Sequence, residues 1–138
     1  MIVGWNEWVQ LPDLDISALR VKVDTGAKTS VLHAENITVQ DGVVSFMTSP
    51  DPANPSQIIA CSAPVFDQRR ITNSSGQSDM RYVIETTLIL GPLKRNIELT
   101  LKDRSRMRFR MLLGRQAFEV GMMVDPTAQD LQKTRSYS

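Results

Sequence analysis

Histidine and cysteine each occur once in the 138 residues, as His33 and Cys61, and aromatic residues make up only 6% of the chain. A single cysteine excludes an internal disulfide and the paired-cysteine zinc motifs, and a single histidine excludes the His-Glu-x-x-His helix. A catalytic zinc would need mostly carboxylate ligands, so no metal and no other cofactor is expected. A phosphate-cradling loop ending in Gly-Lys-Ser or Gly-Lys-Thr is missing, which argues against ATP binding by this chain. Charge of one sign is scarce too. With 16 Lys and Arg against 15 Asp and Glu the formal net charge is +1, too small a field to attract nucleic acid or a membrane surface. No apolar run reaches the roughly 18 residues of a membrane span, and the start, Met-Ile-Val-Gly-Trp, has no basic segment followed by an apolar stretch as a secretory signal would. The expectation is a soluble, cytoplasmic protein without nucleic-acid or membrane partners.

Short runs of β-branched and aromatic residues, punctuated by Gly, Pro, Asn and Asp, indicate an all-β domain. Residues 3–10 and 19–23 read as the first two strands, the second delivering the chain to Asp24. Asp41-Gly42 joins two further strands as a tight hairpin, because both residues tolerate positive φ. Residues 49–56, rich in proline, form an excursion loop. Residues 58–65 and 80–90 flank the polar tip Asn73-Ser-Ser-Gly-Gln-Ser78, which suits a mobile flap. Residues 96–102 alternate apolar and polar as a half-buried strand does. Strand period is expected to continue from Arg104 to Leu113, followed by one short helix over 114–120. The domain is expected to span residues 1–126, with 127–138 a loosely held polar tail.

The chemistry rests on Val23-Asp24-Thr25-Gly26-Ala27. Asp-Thr-Gly alone suits a tight turn, and its plain reading is a turn cap in a β domain. Its context is more specific: an apolar strand leads in, and a second apolar segment ending in glycine, Met111-Leu112-Leu113-Gly114-Arg115, lies near the C-terminus. Together these resemble the retropepsin fold. The full string Val-Asp-Thr-Gly-Ala-Lys-Thr-Ser-Val-Leu-His-Ala, with Ser-Gly-Gln at 75–77 and Leu-Leu-Gly-Arg-Gln-Ala-Phe, is similar to a bacterial retropepsin-like group labelled ATP-dependent zinc proteases. The resemblance covers roughly residues 3–126.

That resemblance implies a closed β barrel and an aspartic peptidase, with Asp24, Thr25 and Gly26 as the catalytic loop. Leu113, Gly114 and Arg115 would support it from behind, and Ala27, Lys28, Gly76 and Gln77 would contact substrate. Two adjacent carboxylates share a proton, so one acts as base toward water and the other as acid toward the scissile carbonyl. With one Asp-Thr-Gly per chain, the pair requires a homodimer with the site on its two-fold axis. Thr25 would brace the two loops. Ala27, which cannot donate a hydrogen bond as a hydroxyl residue does, implies an activity profile shifted less toward acid. Lys28 departs from the family, where an acidic residue commonly pairs with the arginine corresponding to Arg115.

Arg104, Arg106, Arg108 and Arg110 fall at every second position, so a strand would project all four to one face, with Met107, Phe109 and Met111 on the other. Such a rail, extended by Arg69 and Arg70, would bind carboxylates in forked pairs and favour acidic peptides. A solvated strand face is the plain reading of the same pattern. Some members of the resembling group occur with ligases that add glutamates to a ribosomal protein, which implies trimming of glutamate-rich tails. Two other functions fit the sequence: a non-catalytic dimeric binding domain for acidic segments, and a nucleic-acid-binding β domain, the latter disfavoured by charge and by few aromatics.

Overall fold

The computed structural model describes residues 1–73 and 75–134. Chain order is β1 (Ile2–Gly4), β2 (Asn6–Leu11), a 3-10 turn (Pro12–Leu14), β3 (Ile16–Asp24), β4 (Ser30–His33), β5 (Glu35–Gln40), β6 (Val43–Thr48), β7 (Ile59–Pro64), β8 (Asp67–Thr72), β9 (Ser78–Leu90), β10 (Leu93–Lys102), β11 (Met111–Gly114), a second 3-10 turn (Arg115–Ala117) and β12 (Met123–Asp125). The fold is all-β, as expected.

Neighbouring strands run β10-β4-β11-β3-β2-β9, and the antiparallel pairing of β9 with β10 closes them into a ring of six, with β8 attached to β9 outside it. Closure removes the sheet edges that an open β domain exposes. Inside, Val9, Leu19, Leu32, Ile84, Leu88, Leu99 and Leu113 are fully excluded from solvent, each contributing about 1.5–3 kcal/mol by burial. A separate antiparallel sheet, β5-β6-β7, turns at Asp41-Gly42. Both residues have positive φ, 53° and 76°, as the two-residue hairpin demands.

Three expectations are corrected and one strand is added. The first strand is broken at Trp5, whose N–H donates to Ala128 O at 2.8 Å while its carbonyl accepts from Val23. β8, Asp67-Gln-Arg-Arg-Ile-Thr72, lies outside the strands expected from the sequence; its mainly exposed positions give no apolar alternation to read. Residues 103–110 form a loop rather than a strand, since the pairing of β10 with β4 ends at Lys102 opposite His33. The helix expected over 114–120 is a single 3-10 turn, because Phe118 returns to extended backbone.

The tail is docked through residue 134. Glu7, fully buried, accepts N–H bonds from Gly4 (2.7 Å), Leu131 (2.9 Å) and Gln132 (3.0 Å). A Cβ at Gly4 would come within 2.5 Å of Ala128 O, so glycine is what lets the tail lie against β1. Residues 135–138 lie outside the described residues. Among those described, no helix is long and apolar enough to cross a membrane.

Candidate active site

β3 ends on Asp24, and the chain turns at once: Ala27 N–H donates to Asp24 O at 3.1 Å, and Gly26 N–H to Asp24 Oδ1 at 3.2 Å. Asp24 is half-exposed, with Thr25 and Gly26 in solvent. The carboxylate is thus oriented by a backbone donor, and among the described residues its other oxygen makes no hydrogen bond.

The segment near the C-terminus lies against this loop. In the parallel β3-β11 pair Gly114 is the register partner of Asp24. Arg115 N–H donates to Ala27 O at 2.9 Å and Gln116 N–H to Lys28 O at 3.1 Å, so the 3-10 turn continues the backbone support. Leu113 is buried beneath it, and Ser30 Oγ accepts the Gly114 N–H at 3.0 Å. Arg115, which lacks the acidic partner that Lys28 replaces, donates from a terminal guanidinium nitrogen to Gly26 O at 3.2 Å. The arginine braces the loop through its main chain instead of through a carboxylate.

A cavity of about 650 Å³ opens between the loop and β8, lined by Ala27, Lys28, Arg69, Arg70, Arg115 and Gln116 among others. Asp24 itself does not border it, but the next residues of its loop do. Four basic side chains face one acidic one, Glu98, which is already ion-paired with Arg69. Arg69 also pairs with Asp67 at 2.7 Å, leaving Lys28, Arg70 and Arg115 as cations that no carboxylate neutralises among the described residues. Arg69 and Arg70 were read only as an extension of the rail; they are instead part of this basic cleft wall.

The arginine rail itself does not exist. Arg106 and Arg108 are exposed, Arg108 lying over the Phe109 ring at 5.4 Å, whereas Arg110 is buried and Arg104 half-buried. Of the residues expected on the opposite face, Phe109 and Met111 are buried and Met107 is exposed. Without a partner strand nothing imposes the two-residue period. Of the four, Arg104 bears on the site. Burial pushes its guanidinium below its ordinary range and Arg81 adds to this, while the Asp24 carboxylate acts in the opposite direction.

The hairpin that the sequence suggested as a flap is formed by β8 and β9. Asn73 organises its tip, its Oδ1 accepting N–H bonds from Ser75 (3.1 Å) and Gln77 (3.0 Å), with Gly76 at φ 87°. Ser74 lies outside the described residues. Both Gly76 and Gln77 are exposed at this tip.

His33, Glu35 and Asp103 bring potential metal-ligand atoms within 4.8 Å of one another. They do not suit an ion. His33 Nδ1 already accepts the Arg104 N–H at 2.7 Å, so its lone pair is used and Nε2 carries the proton. Glu35 lies near Nε2 (3.4 Å) and Asp103 near Nδ1 (3.7 Å), on different edges of the ring. Burial and the Arg110 charge hold the imidazole below its ordinary pKa of 6.5. Cys61 is equally unsuited to chemistry, since burial pushes its thiol up to about 11.

A model of a protein family matches residues 2–135, and its description is retropepsin-like aspartic endopeptidase RimB. The chain belongs to the RimB-like family. It is also 46% identical over 132 residues to a probable alpha-L-glutamate ligase of Desulfotalea psychrophila, covering 93% of this chain, and 43% identical over 130 residues to one of Parasynechococcus marenigrum, covering 91%. The chain spans only 28% of the length of each of those relatives. A crystal structure of a protein of unknown function (DUF785) from Legionella pneumophila superposes with a TM-score of 0.76 at 27% identity, covering 95% of this chain and 97% of that one. The retropepsin-like family accounts for the all-β architecture.

Proposed function

We propose that this chain is one subunit of a homodimeric aspartic peptidase that trims acidic, glutamate-rich protein segments. The observation that carries the reading is the Asp24 loop: a half-exposed carboxylate at a strand end, oriented by Gly26 N–H and braced from behind by Gly114 and Arg115. Asp24 of a second copy supplies the partner carboxylate. One member of the pair takes a proton from water as that water adds to the scissile carbonyl carbon; the other, protonated, gives its proton to the carbonyl oxygen. Collapse of the tetrahedral intermediate then expels the amine, which takes up a proton. No covalent enzyme intermediate forms.

The acidic preference rests on the cleft beside the loop, where Lys28, Arg70 and Arg115 stand without carboxylate partners. Relatives of this chain carry the name glutamate ligase over a length more than three times its own. A domain that removes glutamate would complement a neighbour that adds it. A dimeric binding domain for the same segments is the second reading, favoured by the ease with which Gly26 N–H caps Asp24 in an ordinary turn.

Cleavage of an oligoglutamate-tailed protein by the wild type and by Asp24→Asn separates the two. The peptidase reading expects cleavage by the first, none by the second, and a dimer in sedimentation. Cleavage retained by Asp24→Asn would sink it; tight binding without cleavage by the wild type would establish the binding domain.

A further inference from the structure

The loop 103–110 is clasped by one buried histidine. His33 Nδ1 accepts the main-chain N–H of Arg104 at 2.7 Å, and His33 N–H donates to Arg110 O at 2.7 Å. The adjoining Ala34 N–H donates to Lys102 O at 3.0 Å, so the end of β4 holds both ends of the loop. The ring is wholly excluded from solvent, and among the described residues its Nε2 makes no hydrogen bond, the Glu35 carboxylate standing 3.4 Å away. An unsatisfied imidazole nitrogen in the core is costly. A leucine would avoid that cost, and what it would lose is the acceptor for Arg104.

Arg104 is itself unusual. Its Nε donates to Phe109 O at 3.2 Å, which fixes the plane of the guanidinium, and no carboxylate pairs with it among the described residues. It is half-buried, and its loop runs directly into β11, whose Gly114 is the register partner of Asp24; the Asp24 charge acts on it in keeping with that placement. A partly desolvated guanidinium with free forked donors is a receptor for a carboxylate. Arg104 does not line the cleft that holds Lys28, Arg70 and Arg115, so it supplies a second and separate anion contact.

We propose that Arg104 is the specificity residue for an acidic side chain flanking the scissile bond, and that His33 is its positioning residue. The proposal rests on the peptidase reading, which puts the scissile bond at Asp24. His33 acts only through its neutral form. A proton on Nδ1 would turn the acceptor into a donor facing the Arg104 N–H and release the loop. Glu35 and Asp103 favour that proton, while burial, Arg110 and Arg104 oppose it.

The test is binding, not turnover. Full-chain Asp24→Asn protein is titrated with a fluorescent oligoglutamate peptide and with its glutamine counterpart, alone and combined with Arg104→Gln, His33→Asn or His33→Gln. Asparagine keeps an acceptor close to the position of Nδ1, whereas the glutamine oxygen reaches toward Nε2. The expected result is a loss of about tenfold or more in oligoglutamate affinity for Arg104→Gln, with the glutamine peptide unaffected. His33→Gln should show the same selective loss and His33→Asn should restore it, with thermal unfolding confirming that each variant is folded. Equal losses for both peptides in Arg104→Gln would overturn the specificity assignment. Equal behaviour of His33→Asn and His33→Gln would overturn the positioning role. Should the parent protein show no preference for oligoglutamate, the acidic-substrate reading itself has failed, and this assignment with it.

Discussion

Gly114 lies beside Asp24 in the parallel β3-β11 pair, and a Cβ at Gly114 would come within 2.7 Å of the Thr29 carbonyl carbon. The obstruction is backbone, so no side-chain rotation relieves it. The loop carrying Asp24 and the strand supporting it can approach this closely only because Gly114 has no side chain. Gly114→Ala is expected to destabilise the protein by about 1–3 kcal/mol, the usual cost of overpacking. Its loss of cleavage should exceed what the unfolded fraction explains, because the strain falls on the site. Thermal unfolding with assays well below the transition separates the two effects; unchanged stability and activity would contradict the close approach.

Glu7 makes a different demand, on the C-terminal segment. Its carboxylate is the acceptor for three main-chain N–H groups, those of Gly4, Leu131 and Gln132. Glu7→Ala leaves them buried or half-buried without an acceptor, at about 1–3 kcal/mol for each bond lost. The expected outcome is a marked drop in the urea midpoint and faster hydrogen exchange over residues 128–134. Glu7→Gln, which keeps one accepting oxygen, should fall between. If residues 128–134 exchange equally fast in the wild type, the docking described here is wrong.

These two residues also mark where the sequence was readable. The Asp24 loop was legible because its signals are local: an apolar strand, a turn-forming Asp-Thr-Gly, then a second apolar segment with glycine where close approach needs it. Asp41-Gly42 was legible for the same reason. The tail was not, because the groups that hold it, among them the buried Glu7 carboxylate, the Trp5 N–H and the Asn6 carbonyl, lie more than 120 residues away in sequence. The arginine loop misled because alternation at 104–110 mimics a strand, yet the Arg104 N–H is taken by a histidine side chain and not by a ladder. β8 was missed because a hairpin projecting into solvent needs no apolar face. Arg104 itself was named as a substrate contact, but for a rail that does not form.

The basic cleft gives a charge prediction independent of the fold. Arg70 is exposed, and among the described residues its side chain makes one hydrogen bond, a long one of 3.3 Å to Ser78 Oγ. Arg70→Glu is therefore expected to leave the unfolding temperature nearly unchanged. It should raise KM for an oligoglutamate substrate several-fold at low salt, with the difference shrinking as salt screens the cleft. Steady-state kinetics at two ionic strengths checks this. A KM insensitive to both charge and salt would remove the cleft from substrate binding.

His33 provides the last test, through pH and stability. Burial, then Arg110, holds the folded imidazole below its ordinary pKa of 6.5. As pH falls through 6.5 the unfolded chain takes up a proton that the folded chain does not, so unfolding is favoured. Stability is therefore full above about 6.5 and declines as pH drops toward the folded pKa, by at most about 1.4 kcal/mol per pH unit for this one group. Carboxylates held low in the fold, such as Asp67 by its hydrogen bond with Arg69 and Asp103 by hydrogen bonds from Ser105, contribute losses only as pH falls below their ordinary 3.8. The two windows are separate, so the limb just below 6.5 belongs to the chain's single histidine. Urea titrations across that range should show the limb in the wild type and not in His33→Asn. A variant that keeps the same limb would mean that His33 is not held neutral by the fold, and that the Arg104 N–H is not bonded as described.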